Sequence, residues 1–333
     1  MKLFSRCRPI VAAIAAGAWC AAAAATAVAP AGPAPVFVLN SLDASVSVID
    51  PVGWKEIKRL PTGKEPHHLY MTPDEKSVIV ANALADSLTF IDPKTAEIQR
   101  TVRGIIDPYH LRFSPDMKWF VVAGNRLNHV DVYRWDGQHL TLAQRLATAR
   151  TPSHIWIDGG STTAFVSMQD SDELWAIDLR TQAVRWRVPT GAKPADVFGT
   201  PDGRFLLVGL TGGDGVQVFD ISRPQPRLAK EIKTGAGAHA FRSAGDGRFV
   251  YVSNRVANTI GKIDLQSLTV ADSYPAPGGP DCIDVLADRK TLLVSSRWAK
   301  KLTLIDTSTR KVLRQVPVGK SPHGVWTLDH APR

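Results

Sequence analysis

Cysteine is scarce in this sequence of 333 residues, where it occurs only at positions 7, 20 and 282. Cys7 and Cys20 lie in the first 30 residues, so removal of that segment would leave Cys282 alone. A single thiol cannot form an internal disulfide, and an exported chain of this composition has to be stabilised by packing. Cys282 begins the apolar stretch CIDVL, which favours a small buried side chain over a nucleophile activated by a histidine.

Long apolar runs are absent after residue 35, so no membrane-spanning segment is predicted there. Residues 10–29, IVAAIAAGAWCAAAAATAVA, are apolar, contain a small-x-small sequence at 25–27 and follow three basic residues, Lys2, Arg6 and Arg8. This pattern predicts a secretory signal peptide at residues 1–27, a short linker at 28–35 and a periplasmic or secreted mature protein. A retained membrane anchor is the alternative interpretation.

Blocks of lysine or arginine are also absent although the net charge is +9, so no nucleic-acid partner is expected. The modest positive charge slightly favours an anionic ligand. The sequence has no nucleophile elbow Gly-x-Ser-x-Gly, no phosphate-binding loop, no dinucleotide fingerprint and no CxxCH haem-attachment motif. The glycine-rich segment GLTGGDG at 209–215 links two predicted strands and opens no helix, which indicates a turn.

The sequence does contain a repeat, in which aligned positions recur every 42 to 44 residues. Each copy has an apolar strand, a turn, a strand that usually ends in Asp, a polar strand and a further apolar strand. The first of these strands starts at VFVLN (36), SVIVAN (77), WFVVAG (119), TAFVSM (163), FLLVGL (205), FVYVSN (249) and TLLVSS (291). Seven copies of four short strands predict an all-β fold, a seven-bladed β-propeller, with a β-solenoid as the structural alternative.

The phase of the repeat predicts how the ring closes. The chain ends with HGVWTLD, which has the pattern of an innermost strand but no partner strands after it. This strand, near 324–329, is therefore expected to complete the blade begun by residues 36–60, which pairs two edges that would otherwise be open. The prediction is one propeller domain over residues 36–330.

The segments FVYVSNRVANTIGKIDLQSLTV and KLTLIDTSTRKVLRQVPVGKSPHGV resemble the YVTN family of bacterial β-propellers. They also resemble the related haem-d1-binding (cytochrome d1-like) propellers of periplasmic nitrite reduction. The resemblance covers nearly all of 36–330 and rests on turn and core residues. It implies a propeller fold and an exported protein. It leaves the function open, because the family includes proteins of unknown role, cofactor-binding propellers and, more distantly, lactonases.

Six of the nine histidines fall in two adjacent columns of the aligned repeats, just before or at the start of each innermost strand. The first column holds His67, Tyr109, Ser153, Ala195, His239, Asp281 and His323. The second holds His68, His110, His154, Asp196, Ala240, Cys282 and Gly324. In a propeller both columns surround one mouth of the central channel. The turns between second and third strands of the blades add Arg126, Arg255, Arg297 and Trp298 to that mouth.

This arrangement predicts a ligand site, provided that the ring forms. His68, His110 and His154 come from three consecutive blades and Asp196 from the next, a set that could hold copper, zinc or haem iron. Asp196 would be a fourth ligand or would orient a histidine. The expected cofactor is copper or a haem-type tetrapyrrole. Its carboxylates would meet Arg255 and Arg297, with further contacts from His67, His239 and His323.

Other interpretations of the same residues stay open. The histidines could be structural pegs copied by duplication, each bonded to neighbouring backbone, or part of the packing between blades. The protein could instead be a scaffold for a periplasmic protein partner without a cofactor, or a lactonase-like hydrolase in which a histidine or Asp196 polarises water. An aromatic column, Tyr70, Trp156, Phe198 and Trp326, is expected to be core between blades, with an aromatic ligand floor as the alternative.

Overall fold

The computed structural model describes residues 32–333, which contain 28 β-strands and two short 3-10 turns at Ser41–Asp43 and Ala83–Ala85. The predicted signal peptide at 1–27 lies outside the described residues, as do residues 28–31 of the predicted linker. No helix within 32–333 is long and apolar enough to span a membrane.

The strands form seven antiparallel sheets of four, which we number as blades in chain order. From the inner to the outer strand, blade 1 contains β28 (Pro322–Thr327), β1 (Val36–Asn40), β2 (Ser45–Asp50) and β3 (Lys55–Pro61). Blades 2 to 4 contain β4 (Pro66–Met71), β5 (Val78–Asn82), β6 (Ser87–Ile91) and β7 (Ile98–Arg103); β8 (Pro108–Phe113), β9 (Trp119–Gly124), β10 (His129–Trp135) and β11 (Leu140–Ala147); β12 (Pro152–Ile157), β13 (Thr163–Met168), β14 (Glu173–Asp178) and β15 (Ala183–Pro189). Blades 5 to 7 contain β16 (Pro194–Gly199), β17 (Phe205–Leu210), β18 (Gly215–Asp220) and β19 (Arg227–Lys233); β20 (Ala238–Ser243), β21 (Phe249–Asn254), β22 (Thr259–Asp264) and β23 (Thr269–Pro275); β24 (Pro280–Val285), β25 (Thr291–Ser296), β26 (Lys301–Asp306) and β27 (Lys311–Pro317).

The predicted seven-bladed propeller is confirmed, and so is its closure. β28 pairs with β1 in antiparallel register, with Val36 opposite Thr327 and Phe37 opposite Trp326. The predicted strand starts agree with the second strands of the blades to within one residue. The closing strand begins at Pro322, two residues before the predicted position.

The core consists of seven apolar clusters, each shared by two neighbouring blades. One cluster, for example, joins Phe37, Leu39 and Trp326 of blade 1 to Val78 and Val80 of blade 2. Another joins Val36 and Val325 of blade 1 to Leu293 and Leu302 of blade 7, so the packing continues across the closure. Alternation along the strands places one face of each sheet against each neighbour, which is why the apolar residues recur at every second position.

The innermost strands share an irregularity that bears on function. In each blade the register between the inner and second strands shifts near the start of the inner strand; in blade 2 the shift lies between Pro66 and Leu69. The residue before each inner strand has a positive φ, at Glu65, Asp107, Thr151, Lys193, Gly237, Gly279 and Ser321. Each inner strand therefore follows a residue in the left-handed conformation and has a β-bulge near its start. A β-bulge changes the direction in which side chains point.

Candidate functional site

The two predicted columns occupy the bulge in the innermost strands. In a regular strand adjacent side chains point to opposite faces. At the bulge of β4 they lie on the same side, because the ring centroids of His67 and His68 are 4.7 Å apart and their Nδ1 atoms 3.0 Å apart. The bulge thus doubles the number of side chains that one blade contributes to the channel mouth.

All six histidines of the columns meet in one cluster, with His68 at its centre. The ring of His68 lies 4.5 Å from that of His110, 4.8 Å from that of His154 and 4.6 Å from that of His323. His67 stacks on His323 at 3.7 Å, and His239 joins through His154 at 5.3 Å. All six side chains are buried. We call these six residues the histidine cluster.

Several buried ring nitrogens of the histidine cluster have no hydrogen-bond partner in the part of the chain that the structure describes. They include His68 Nε2, His110 Nδ1 and His154 Nε2. His68 Nδ1 lies 2.8 Å from the carbonyl oxygen of Tyr109, so Nδ1 carries the proton and Nε2 keeps a free lone pair. His154 Nδ1 contacts the Ser153 hydroxyl at 2.8 Å, which also leaves its Nε2 free. A buried polar atom without a hydrogen-bond partner lowers the free energy of unfolding, so these nitrogens destabilise the protein when no ligand is bound.

Three groups of residues, drawn from the histidine cluster and the adjacent Asp281, have ligand atoms within 4.8 Å of one another. They are His68, His110 and His154; His67, His68 and His323; and His239, Asp281 and His323. Metal–nitrogen bonds of about 2 Å hold the donors of one ion at most ~4 Å apart. Shifts of ~1 Å in the ligand atoms would therefore allow a group to bind a single ion. The predicted histidine trio is therefore brought together by the fold. His68 and His323 each belong to two of the three groups.

Burial determines the protonation state of the cluster. Loss of solvent lowers the pKa of His68 to about 4, and the pKa values of the other five are well below their usual range for the same reason. Mutual repulsion between imidazoles adds to the effect, as between His110 and His68. At neutral pH the rings are uncharged, which is the form that binds transition metals.

Asp281 links the cluster to the two predicted arginines. Its carboxylate, fully buried, accepts hydrogen bonds from Arg255 (2.7 Å) and Arg297 (3.0 Å), and it lies 3.1 Å from His239 Nδ1 and 3.5 Å from His323 Nε2. Burial alone would raise the pKa of this carboxyl, but the arginines and His239 outweigh it and hold the pKa well below its usual range. Both arginines thus bind a carboxylate of the protein itself, where the sequence predicted a carboxylate of the ligand.

Asp196 does not join the predicted trio. Its carboxylate accepts the backbone N–H groups of Val197 (2.9 Å) and of Phe241 (2.8 Å) in the next inner strand. These bonds hold both carboxylate oxygens, and Asp196 is not part of any of the three ligand groups. Burial raises the pKa of Asp196 to about 6.

Two further residues border the cluster. Cys282 Sγ lies 3.5 Å from His323 Nδ1, and burial raises the pKa of this thiol, which keeps it protonated. The Tyr109 ring lies 4.0 Å from that of His67, and burial raises its pKa to about 12. Asp281, which contacts both arginines and two histidines of the cluster, stands in the first column of the repeat alignment but was not predicted as a site residue. The signal that could have identified it was the pair of arginines at matching turn positions in blades 6 and 7.

Comparisons with known proteins agree with the fold. The sequence model of the YNCE-like beta-propeller family matches residues 6–333. No curated protein matches the sequence. Similar solved structures include the periplasmic gluconolactonase PpgL of Pseudomonas aeruginosa, with 19% identity over 88% of this chain and 98% of that chain and a TM-score of 0.74. They also include hydrazine synthase of Kuenenia stuttgartiensis, with 19% identity over 78% of this chain and 88% of that chain and a TM-score of 0.66. Another is the dihydro-heme d1 dehydrogenase NirN in complex with DHE, with 19% identity over 88% of this chain and 74% of that chain and a TM-score of 0.64.

Proposed function

The chain belongs to the YNCE-like beta-propeller family, and we propose that it is an exported propeller that binds a copper ion in its histidine cluster. The observation that carries the proposal is the group of buried nitrogens, His68 Nε2, His110 Nδ1 and His154 Nε2, which come from three consecutive blades and have no hydrogen-bond partner among residues 32–333. A structural peg would bond to protein on its available nitrogen, whereas a ligand keeps that nitrogen free.

The chemistry of the donors favours copper. Imidazole suits zinc, copper, iron and nickel, and among divalent ions the affinity of nitrogen sites is highest for copper. The trio supplies no carboxylate, and the one carboxylate nearby is already paired with Arg255 and Arg297. Because the cost of burying an ion rises steeply with its charge, three neutral donors without a carboxylate favour monovalent copper.

A single ion fits the cluster better than a tetrapyrrole does. Ring centroids around His68 are 4.5 to 4.8 Å apart, so the imidazoles touch and leave no slot for a planar macrocycle between them. Arg255 and Arg297, which would have met the carboxylates of such a cofactor, are bound to Asp281. In the copper-bound protein Asp281 would orient His239 and His323 from outside the trio.

The location is the second part of the proposal. The basic and apolar sequence of residues 1–27 has the pattern of a signal peptide, and one similar structure carries the word periplasmic in its name. Both support function in the periplasm or outside the cell. Fractionation of cells that express the full chain tests this part independently of metal binding.

The experiment for copper is a titration of metal-depleted protein with copper under reducing, anaerobic conditions, in competition with a chromophoric chelator. We expect one tightly bound ion per chain. Simultaneous replacement of His68, His110 and His154 by Ala should remove that binding. His139→Ala is the matched control, because His139 is an exposed histidine outside the cluster.

Three outcomes would contradict the proposal. They are equal copper affinity of the triple variant and the wild-type protein, preferential loading with zinc when both ions are offered, and no binding by the wild-type protein. The single variant His110→Ala provides a second test if the triple variant fails to fold. Absence of metal binding would favour a protein-interaction scaffold instead. Hydrolysis of lactones that persists in the triple variant would favour the hydrolase.

A further inference from the structure

The channel has a second opening, opposite the histidine cluster, and a cavity of about 730 Å³ lies there. Its walls come from strands of blades 4 and 5, from turns of blades 4 to 6 on that side and from the C-terminal residues Pro332 and Arg333. A smaller cavity of about 250 Å³ continues into the channel, and Trp156, Gly159 and Phe198 belong to the walls of both. Sites for small molecules are typically concave, largely apolar and of this size.

Small residues at the last position of two inner strands create the space. Aligned positions hold Met71, Phe113, Ile157, Gly199, Ser243, Val285 and Thr327. The indole of Trp156 occupies the place of the missing side chain in blade 5, because a Cβ atom at Gly199 would lie 2.4 Å from Trp156 Nε1. The aromatic column predicted as core does pack between blades, with Trp326 and Phe198 in core clusters and Trp156 against them. Trp156 and Phe198 in addition line a cavity.

Flat side chains stack around the inner cavity. The guanidinium of Arg112 lies between the rings of Tyr70 (5.3 Å) and Trp156 (5.1 Å), and the rings of Trp156 and Phe198 are 4.9 Å apart. Arg112 Nε is buried and has no hydrogen-bond partner within the described chain. Stacking fixes the plane of this guanidinium, so its free donor has a defined direction.

The acidic residues around the cavities accept hydrogen bonds from other groups, and within the described chain none of them is bonded to Arg112. Asp196 accepts two backbone N–H groups. Asp158 accepts the N–H groups of Thr162 and Thr163, and Asp202 accepts the Thr200 hydroxyl and the Arg204 N–H. A buried guanidinium donor that lacks a partner is completed by an anion from outside the chain, and a carboxylate matches its geometry.

We propose that this opening is a second ligand site, which takes a small organic carboxylate with a flat aromatic body. The carboxylate would pair with Arg112, and the aromatic body would lie against Trp156 and Phe198, where offset or edge contacts between rings are favourable. The inner cavity would hold the ligand and the outer cavity would be its entrance. The site lies at the other end of the channel from the histidine cluster and does not depend on metal binding.

The test uses calorimetric titration of the full chain with 2-naphthoate and with its neutral analogue, 2-naphthamide. We expect saturable binding of 2-naphthoate at least ~10-fold tighter than that of the amide, because one bidentate charged contact is worth a factor of this order. Arg112→Gln should weaken 2-naphthoate at least ~10-fold and leave the amide unchanged.

A second variant blocks the cavity without removing any group that contacts the ligand. A Cβ atom at Gly159 meets nothing within 4 Å, so Gly159→Leu should extend into the cavity without displacing protein atoms. It should abolish binding of both compounds. Lys76→Leu is the control, since Lys76 is exposed on the equivalent turn of blade 2 and lines neither cavity.

The proposal is overturned by any of three results. They are no saturable binding of 2-naphthoate by the wild-type protein at millimolar concentration, equal affinity for the acid and the amide, and unchanged binding by folded Gly159→Leu protein. The last result also covers the case in which Arg112→Gln fails to fold. Copper content should be the same in all of these variants, which separates failure of this site from failure at the histidine cluster.

Discussion

At the scale of single residues, the histidine cluster combines two opposing effects. Burial keeps the six imidazoles neutral, and neutrality allows them to pack at centroid distances down to 3.7 Å. The same burial leaves nitrogens such as His110 Nδ1 without a partner, which costs stability. The cluster thus lowers the stability of the fold, and destabilising arrangements of this kind are typical of functional sites.

The first prediction concerns the acid stability of the metal-free protein. The folded pKa of His68 is about 4 and its ordinary value is 6.5, so below pH 6.5 the unfolded chain binds protons that the folded chain does not. The contribution of the histidine cluster to stability should therefore be constant above pH 7 and fall as the pH drops from 6.5 towards 4. Each cluster histidine contributes up to ~1.4 kcal/mol per pH unit. Urea denaturation at a series of pH values measures the slope.

Replacement of His68, His110 and His154 by Ala should make this slope clearly shallower, because three of the groups that take up protons on unfolding are gone. His139→Ala should leave it unchanged, since that ring is exposed. The carboxyl of Asp281 acts in a different window: its folded pKa is below the ordinary 3.8, so its contribution is lost only below pH 4. A denaturation midpoint that does not change between pH 7 and 5 would contradict the prediction.

The positions of the candidate residues could be predicted from the sequence more reliably than their contacts. The repeat places His68, His110 and His154 at equivalent points of consecutive blades. The circular arrangement of the blades then brings the three side chains together. The pairing of Arg255 and Arg297 with Asp281 was not predicted: the matching turn positions of the arginines point to a shared partner, but the contact depends on how far three side chains reach across two blades. The bonds of Asp196 were missed for a similar reason.

At the scale of secondary-structure elements, the β-bulge is the feature that makes the site. A bulge leaves an N–H group without a partner in the ladder, and in three blades a serine from the second strand accepts it. Ser167 Oγ accepts His154 N–H, Ser253 Oγ accepts Ala240 N–H, and Ser295 Oγ accepts Cys282 N–H, at 3.0 to 3.1 Å. The sequence pattern predicted the strands, but one extra residue leaves that pattern unchanged, so the bulge was not foreseen.

The second prediction tests this role of serine. Ser253→Ala should lower the free energy of unfolding by about 1–3 kcal/mol, because the buried N–H of Ala240 would lose its acceptor. Blade 6 is suitable, since Ala240 is not a candidate ligand and copper binding should be unaffected. Ser308→Ala, at an exposed turn, is the control and should change stability by less than ~0.5 kcal/mol. Equal effects of the two variants in urea denaturation would refute the role.

At the scale of the whole molecule, closure of the ring is what brings the sites into existence. His323 lies in the closing strand β28 and stacks on His67 of blade 2, although 256 positions separate them in the chain. Two mouths with different chemistry result, one lined by imidazoles and the other by aromatic rings and arginine. Sequence repeats predicted both the closure and the histidine-lined mouth, whereas the second cavity depends on the absence of side chains at Gly199 and could not be anticipated from the pattern.

The last prediction concerns the closing strand itself. Trp326 is fully buried, pairs with Phe37 across the two strands and packs in the cluster shared by blades 1 and 2. Trp326→Ala should cost about 3–5 kcal/mol, because it leaves a large cavity at the joint of the ring. Release of β28 would also expose the edge of β1, so aggregation should accompany unfolding, and urea denaturation with light scattering measures both. Leu42→Ala in the same blade, at a side chain 74% exposed, should change neither. A variant that lost stability without any gain in scattering would show that the ring stays closed when its joint is weakened.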